Sequence, residues 1–291
     1  MGTIRTSVAA CLALVMTLVA CNPKPNDAGS KAARTLESLG DETKSNYQVV
    51  LPGPMELGEK RLVFALLAQD GTFLPSKDLE LFYARKATDP AKGPVKVLFE
   101  DDGLGDRAFY RATIELKDPG TWLILVREKD SPQGGGTQLQ VRQESDVPQV
   151  GDKAIVVATP TQQNKMGLAD ICTRDPEDDL HSISLDAALD SDKPTVVIFA
   201  TPALCTSKVC GPVVDQVIRV QSSYKEKANF IHVEVFTDQT ESRKFTESMG
   251  AWHLETEPWT FVIDTDGLVQ GRFEGPVTTG EIKAVLDNIL R

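Results

Sequence analysis

The sequence has little positive charge relative to its negative charge. It contains 31 lysines and arginines against 42 aspartates and glutamates, which gives a formal net charge of −11. No cluster of basic residues stands out along the chain. Nucleic acids and anionic lipid surfaces are bound through such clusters, so their absence argues against both as partners recruited by charge. We therefore expect no binding to nucleic acid.

Long apolar runs are absent beyond the first twenty residues. Residues 8–19 form an apolar stretch that follows a single positive charge at Arg5. This stretch is too short for a confident membrane span, and it has the charged n-region and the apolar h-region of a secretory signal. The beginning of the chain is therefore expected to direct export.

Residues 18–21, with the sequence Leu-Val-Ala-Cys, resemble the lipobox of bacterial lipoproteins. The resemblance implies that residues 1–20 are removed as a signal peptide and that Cys21 becomes the lipidated N-terminus; an ordinary signal peptide or an uncleaved anchor are the alternatives. Residues 21–46 are polar, as a flexible tether would be. The expected location is the extracytoplasmic or periplasmic side of a bacterial membrane, with the acyl chains on Cys21 buried in the bilayer.

Cysteine is also scarce, with five in the chain. Cys11 lies in the signal and Cys21 in the lipobox, which leaves Cys172, Cys205 and Cys210. In an oxidising compartment a close pair of cysteines is expected to form a disulfide. We therefore predict a Cys205–Cys210 disulfide, and Cys172 is either a buried free cysteine or a third thiol that resolves a disulfide or binds a metal.

The chain is longer than a usual single domain, and two different patterns divide it. Residues 47–145 contain seven short runs of β-forming residues separated by turns rich in Gly, Asp and Pro, and residues 110–116 alternate apolar and polar side chains. Short strands at this spacing resemble an immunoglobulin-like sandwich. The segment has no cysteine, histidine or methionine cluster, so we do not expect it to bind copper.

Residues 147–291 alternate strand and helix patterns. Residues 195–201, TVVIFAT, form a continuous apolar run that is typical of a buried parallel strand. The runs that follow predict the element order β-α-β-α-β-β-α. A cysteine-containing turn follows the first strand, a Pro-containing segment starts at Pro212, and Pro258 stands just before the third strand. In these features the segment resembles a thioredoxin-superfamily domain, closest to membrane-anchored bacterial thioredoxin-like lipoproteins.

The resemblance implies a two-domain protein, an N-terminal all-β sandwich followed by a C-terminal α/β thioredoxin-like fold. It implies a thiol–disulfide oxidoreductase that acts on exported proteins and needs no cofactor. Cys205 would be the exposed nucleophile, Cys210 the resolving thiol, and Pro258 a cis-proline facing them. The partners would be thiols or disulfides of exported proteins and an electron donor that the sequence does not identify.

The spacing of the two cysteines departs from the thioredoxin pattern, because four residues rather than two separate Cys205 from Cys210. Cysteines five positions apart in a regular helix lie about 140° apart around its axis. Their Cα atoms would then exceed the ~7 Å that a disulfide tolerates, so at least one cysteine must lie outside the helix. If Pro212 occupies the first helical position, Cys210 stands at the helix end and the roles of the two thiols could be exchanged. If the helix begins near Thr206, Pro212 kinks it.

Metal binding and a purely structural role are the alternatives to thiol exchange. Copper chaperones of the Sco type are thioredoxin folds with two spaced cysteines and a distant histidine, and soft thiolate ligands suit copper. The corresponding ligand set here would be Cys205, Cys210, His181 and His253. His232 falls in a predicted buried strand and is interpreted as a core histidine. In the third alternative, a non-catalytic lipoprotein, the disulfide only stiffens the turn.

Overall fold

The computed structural model describes residues 34–74, 78–104, 107–238 and 244–291. The predicted signal peptide (residues 1–20), the predicted lipidation site Cys21 and residues 22–33 of the predicted tether lie outside the described residues. The described part of that segment, residues 34–46, contains a helix, Leu36–Asp41, with Leu36 and Leu39 buried. No helix within the described ranges is both long and apolar enough to cross a membrane. Among the regular elements of the described chain, strands outnumber helices.

The strands are β1 (Lys44–Ser45), β2 (Gln48–Val50), β3 (Met55–Glu56), β4 (Gly58–Leu67), β5 (Leu79–Ala84), β6 (Lys92–Lys96), β7 (Leu98–Glu100), β8 (Phe109–Leu116), β9 (Gly120–Glu128), β10 (Gln133–Arg142), β11 (Thr195–Phe199), β12 (Asn229–Val233), β13 (Trp259–Ile263) and β14 (Val269–Glu274). The helices are α1 (Leu36–Asp41), α2 (Leu185–Leu189), α3 (Cys210–Tyr224), α4 (Glu247–Ala251) and α5 (Thr279–Ile289).

The N-terminal half is built from two sheets. One has the order β1-β10-β9-β5-β6, with β3 also paired to β10, and the other has the order β2-β4-β8-β7. The apolar faces of both sheets share one core, in which Leu62, Tyr110 and Trp122 are buried. Strand β8 shows why the sheets pack this way, since most of its apolar residues point into the core and the alternating polar ones point outward.

The C-terminal half is a four-stranded sheet of order β12-β11-β13-β14 covered by helices. Strand β11 is parallel to β12 and antiparallel to β13. All five residues of β11 are buried, as its continuous apolar sequence predicts. Val196 and Ile198 face the core shared with α3 and α5, whereas Val197 and Phe199 face the core shared with α2 and α4. From β11 onward the element order is β-α-β-α-β-β-α, as expected.

Buried polar contacts join the two halves. Arg61 of β4 donates to both carboxylate oxygens of Glu281 in α5, at 2.6 and 2.9 Å. Arg272 of β14 forms an ion pair with Glu56 of β3 at 2.9 Å. Because several of these side chains lose most of their contact with water, the pairs hold the sandwich against the α/β sheet in a defined way. The sandwich is therefore docked onto α5 and β14.

Glu274 lies at the same contact between the halves. Its Oε1 accepts a hydrogen bond from Thr256 Oγ1 at 2.9 Å. Burial raises the pKa of Glu274 to about 7, and the Thr256 hydroxyl and the charge of Arg272 oppose the effect only in part. Below about pH 7 the folded protein therefore keeps the Glu274 side chain protonated.

We expect the stability of the protein to fall as the pH rises from about 4.5 to about 7, because the folded state holds a proton on Glu274 that the unfolded state has released. Glu274→Gln keeps the neutral shape and removes this loss. The variant should unfold with a free energy close to that of the wild type at low pH and about 3 kcal/mol higher above pH 7. Urea unfolding on both sides of the window measures the difference.

The matched control is Glu115→Gln, which removes a carboxylate whose side chain is 57% exposed. This variant should leave the pH dependence of the free energy of unfolding unchanged. A Glu274→Gln effect of the same size at every pH would contradict the assignment of the proton to Glu274.

Candidate functional site

A disulfide joins Cys205 and Cys210 in the turn between β11 and α3. Their Cα atoms are 6.0 Å apart, within the range that a disulfide tolerates. Helix α3 begins at Cys210, so Cys205 lies outside the helix, as the spacing of the two cysteines requires. Strand β11 and helix α3 thus position the two sulfur atoms at the end of the central strand.

The start of α3 differs from both sequence-based alternatives. The helix begins neither at Pro212 nor near Thr206 but at Cys210, and Pro212 occupies the third helical position. A proline is tolerated there because the N–H groups of the first helical turn have no partner within the helix. The same unpaired N–H groups place partial positive charge beside Cys210, which stabilises a thiolate at that position.

The two cysteines differ in exposure. Cys210 is completely buried, whereas Cys205 keeps 8% of its surface exposed. The Cys205 sulfur lies 3.2 Å from the hydroxyl of Ser207, which is exposed in the same turn. Both cysteines are thus buried in the disulfide form, in contrast to the exposed nucleophile that the resemblance implies, and Cys205 is the one nearer the surface.

Glu257 brings a carboxylate to the disulfide. One of its oxygens and the two sulfur atoms all lie within 4.8 Å of one another. The backbone N–H of Thr201 donates to this side chain at 2.6 Å. The Glu257–Pro258 peptide bond is cis, as the resemblance implies. Sequence reasoning selected Pro258 and missed Glu257, although its position directly before that proline was the available signal.

A cleft of about 210 Å³ opens beside the turn. Thr201 and Leu204 line it from the cysteine turn, and Glu234 and Phe236 line it from the chain that follows β12. Residues of the segment before α2 complete the wall, Ala169, Asp170 and Thr173 among them. Neither cysteine lines the cleft, which reaches the turn at Leu204, the residue before Cys205.

Cys172 lies in a second cluster, apart from the disulfide pair. It is a free cysteine, and its sulfur donates to Asp178 Oδ2 at 3.3 Å. The same oxygen is 2.8 Å from His232 Nδ1, and Asp178 Oδ1 is 3.2 Å from His181 Nε2. One possible ligand atom from each of these four residues lies within 4.8 Å of the others.

The electrostatics of this cluster favour its charged forms. Burial would raise the pKa of Asp178, but the imidazole rings of His181 and His232 close to its carboxylate outweigh it and hold that pKa well below its ordinary value. Burial also acts to raise the pKa of the Cys172 thiol, yet the proximity of the two histidine rings lowers it to about 7. The pKa of His232 is raised, because its bond to Asp178 outweighs the effect of burial. Sequence reasoning took His232 for a core histidine and so missed this cluster.

The structure does not bring together the four residues of the predicted copper site. Cys205 and Cys210 have Glu257 as their neighbour, whereas the His181 ring lies with the Cys172 cluster. His253 is exposed and lines a separate cavity near Arg142 and the sandwich. The reason is topological, since the segment that carries His181 packs against β12 and not against the cysteine turn: the backbone N–H of His232 donates to the carbonyl of Leu180 at 2.9 Å.

Comparison with known proteins finds similarity only among solved structures. No protein-family model matches the chain, and no curated protein matches it significantly. A thioredoxin-family thiol:disulfide interchange protein from Chlorobium tepidum is 17% identical, with 52% of this chain and 100% of that chain covered and a TM-score of 0.33.

Two further structures are similar to parts of the chain. The thioredoxin domain of a thiol-disulfide oxidoreductase from Bacteroides vulgatus is 11% identical, with coverage of 49% and 99% and a TM-score of 0.34. The filamin domain of Lin-41 is 12% identical, with coverage of 34% and 95% and a TM-score of 0.24. Similarities this low do not establish an activity, so the chemistry of the site must be argued from its own residues.

We expect the two sulfur atoms to react at different rates after reduction. Mild reduction followed by iodoacetamide should label Cys205 first and Cys210 several-fold more slowly, because only Cys205 keeps exposed surface. Peptide mass spectrometry over time measures the order. Cys210→Ser should leave the labelling rate of Cys205 nearly unchanged, and faster labelling of Cys210 than of Cys205 would show that access was assigned to the wrong sulfur.

Proposed function

We propose that the protein is a thiol–disulfide oxidoreductase that acts on thiols or disulfides of exported proteins. The observation that carries the proposal is the Cys205–Cys210 disulfide, in which Cys205 is the less buried residue, Cys210 stands at the first turn of α3, and a cleft lies against the neighbouring Leu204. In the proposed setting, lipid on Cys21 anchors the chain to the extracytoplasmic side of a bacterial membrane, and a dedicated donor or acceptor of electrons resets the pair.

The exchange proceeds in two balanced steps. A partner thiolate attacks the Cys205 sulfur, which breaks the Cys205–Cys210 bond, forms a mixed disulfide and releases the Cys210 thiolate. A second partner thiolate then attacks the partner's own sulfur in the mixed disulfide and releases Cys205. The partner leaves with a disulfide and the protein with a dithiol. In the reverse direction Cys205 attacks a partner disulfide and Cys210 resolves the mixed disulfide.

The first turn of α3 stabilises the thiolate that the exchange releases. Cys210 is the first residue of the helix, where unpaired backbone N–H groups and the helix dipole favour negative charge. Cys210 is also fully buried, so a partner cannot reach its sulfur directly. These two properties suit a resolving thiol, and they support Cys205 as the nucleophile.

Glu257 is placed to move the proton that the exchange requires. Its carboxylate is near both sulfur atoms, and the Thr201 N–H holds it in that orientation. When the buried Cys210 thiol becomes a nucleophile, it must lose its proton to a nearby base, and a carboxylate can accept it directly or through one water molecule. Glu257 returns the proton when the thiolate is released again.

Copper delivery by the cysteine pair has less support. Among the residues that the structure describes, the group of potential ligand atoms around Cys205 and Cys210 is completed by the Glu257 carboxylate and not by a histidine. Copper in its reduced form prefers soft sulfur or imidazole ligands to a hard carboxylate. The arrangement therefore favours proton transfer at the sulfur atoms over metal binding.

The proposal predicts distinct effects for three substitutions in an assay of disulfide exchange with a fluorescent dithiol peptide. Cys205→Ser should abolish exchange, since it removes the attacking sulfur. Cys210→Ser, given the peptide in its disulfide form, should accumulate the mixed disulfide on Cys205, visible by mass spectrometry, because Cys205 attacks the peptide disulfide and no second thiol resolves the product. Glu257→Gln should slow exchange by roughly a hundredfold while the disulfide still forms, because general acid–base groups contribute about that factor or more.

Ser207→Ala is the matched control, because it changes the same turn without removing a sulfur or the carboxylate. It should retain most of the activity. Full exchange activity in Cys205→Ser would overturn the proposal.

A further inference from the structure

We propose that Cys172, Asp178, His181 and His232 form a binding site for one zinc(II) ion, separate from the Cys205–Cys210 pair. The four side chains supply one sulfur, one carboxylate oxygen and two imidazole nitrogens, all within 4.8 Å of one another. Zinc bonds of 2.0–2.3 Å in a tetrahedron imply distances of about 3.3–3.6 Å between ligand atoms. Cys172 Sγ and His232 Nδ1 lie 3.3 and 2.8 Å from Asp178 Oδ2, and His181 Nε2 lies 3.2 Å from the other oxygen, Oδ1, so these contacts are at or just inside the spacing of such a shell.

The mixture of ligand types selects the metal. Zinc accepts thiolate, imidazole and carboxylate in the same site, and four protein ligands close its tetrahedral shell. Calcium and magnesium require oxygen ligands throughout, and copper(I) prefers sulfur ligands. A set with one sulfur, two nitrogens and one oxygen, closed at four ligands, therefore fits zinc and does not fit those ions.

A histidine that binds a metal through one ring nitrogen usually donates a hydrogen bond from the other, and His232 has such a bond. Its Nε2 lies 2.9 Å from the carbonyl oxygen of Ala200, which can only accept, so Nε2 carries the proton. In the neutral ring, Nδ1 is then unprotonated and faces the cluster with its lone pair. The ring is completely buried within β12, so its orientation is fixed by the fold.

His181 supplies an independent sign that a ligand is needed. Its Nε2 is buried and has no hydrogen-bond partner, although Asp178 Oδ1 lies 3.2 Å away in a poor orientation. Buried polar atoms almost always have a partner, and each exception requires an explanation. A zinc ion at the centre of the cluster would provide that partner.

The position of the cluster also explains how a long irregular segment is ordered. The 42 residues from 143 to 184 contain no helix or strand, which is unusual in a compact fold. This segment supplies three of the four proposed ligands, and β12 supplies His232. Zinc would tie the segment to the sheet next to the cysteine turn, where Thr173 Oγ1 already accepts from the backbone N–H of Ala203 at 3.2 Å. We therefore infer a structural role for the metal.

The test uses the full chain with Cys11→Ser and Cys21→Ser, kept oxidised so that Cys172 is the sole free thiol of the five cysteines. After treatment with a chelator, the protein is titrated with zinc chloride and, separately, with cobalt chloride. We expect one equivalent of zinc by elemental analysis. The cobalt form should show a thiolate-to-cobalt charge-transfer band together with the strong visible bands of tetrahedral coordination.

Substitutions of single residues test which side chains bind the zinc ion. Cys172→Ser should remove the charge-transfer band and weaken zinc binding at least tenfold, roughly the lower limit known for much milder changes around metal sites. His232→Gln should weaken binding similarly. The exposed His253→Gln and the double variant Cys205→Ser/Cys210→Ser are the controls, and both should still bind one equivalent. Circular dichroism checks that each variant is folded.

Two results would overturn the proposal. One is substoichiometric zinc and no charge-transfer band in the parent chain, a result that does not depend on any ligand variant folding. The other is binding that survives Cys172→Ser but is lost in the Cys205→Ser/Cys210→Ser variant, which would place the metal at the disulfide pair. Either result leaves the proposed exchange reaction to be judged by its own assay.

Discussion

The burial of strand β11 is the constraint on which the candidate sites depend. All five of its residues are buried between two layers of helices, so the strand has a single allowed position and register. The position of the residues that directly follow β11 is therefore fixed as well. Ala200 presents its carbonyl to His232, Thr201 presents its N–H to Glu257, and the turn that follows carries Cys205 to the start of α3. Residues at the carboxyl end of β11 thus position both the disulfide pair and the Cys172 cluster.

Several features of this arrangement could be predicted from the sequence because they depend on local patterns. A continuous β-branched run predicted β11, and the order of runs after it predicted the order of the remaining elements. The five-position separation of Cys205 and Cys210 excluded a pair within one helix, which agrees with a helix that starts at Cys210. The cis bond before Pro258 followed from the resemblance to thioredoxins.

Other features depend on contacts between distant segments, which a single sequence does not reveal. His232 joins Cys172 only because β12 pairs in parallel with β11 in the observed register and because an irregular segment returns across its end. A histidine in an apolar strand has the same local pattern whether it fills a core or binds a ligand. Glu257 could not be predicted for the same reason, because its carboxylate becomes a candidate catalytic group only when the fold brings it close to the two sulfur atoms. The docking of the sandwich through Arg61 and Glu281 likewise has no local signature.

The central claim is that the Cys205–Cys210 bond is a redox-active pair and not a structural staple, and its reduction potential tests this most directly. The protein is equilibrated in glutathione or dithiothreitol buffers of known potential, and the fraction of the Cys205–Cys210 disulfide is measured by alkylation and mass spectrometry. We expect a value between about −120 and −270 mV, the range of proteins that exchange disulfides. A value below about −300 mV would contradict the account, because bonds that resist reduction to that extent are structural.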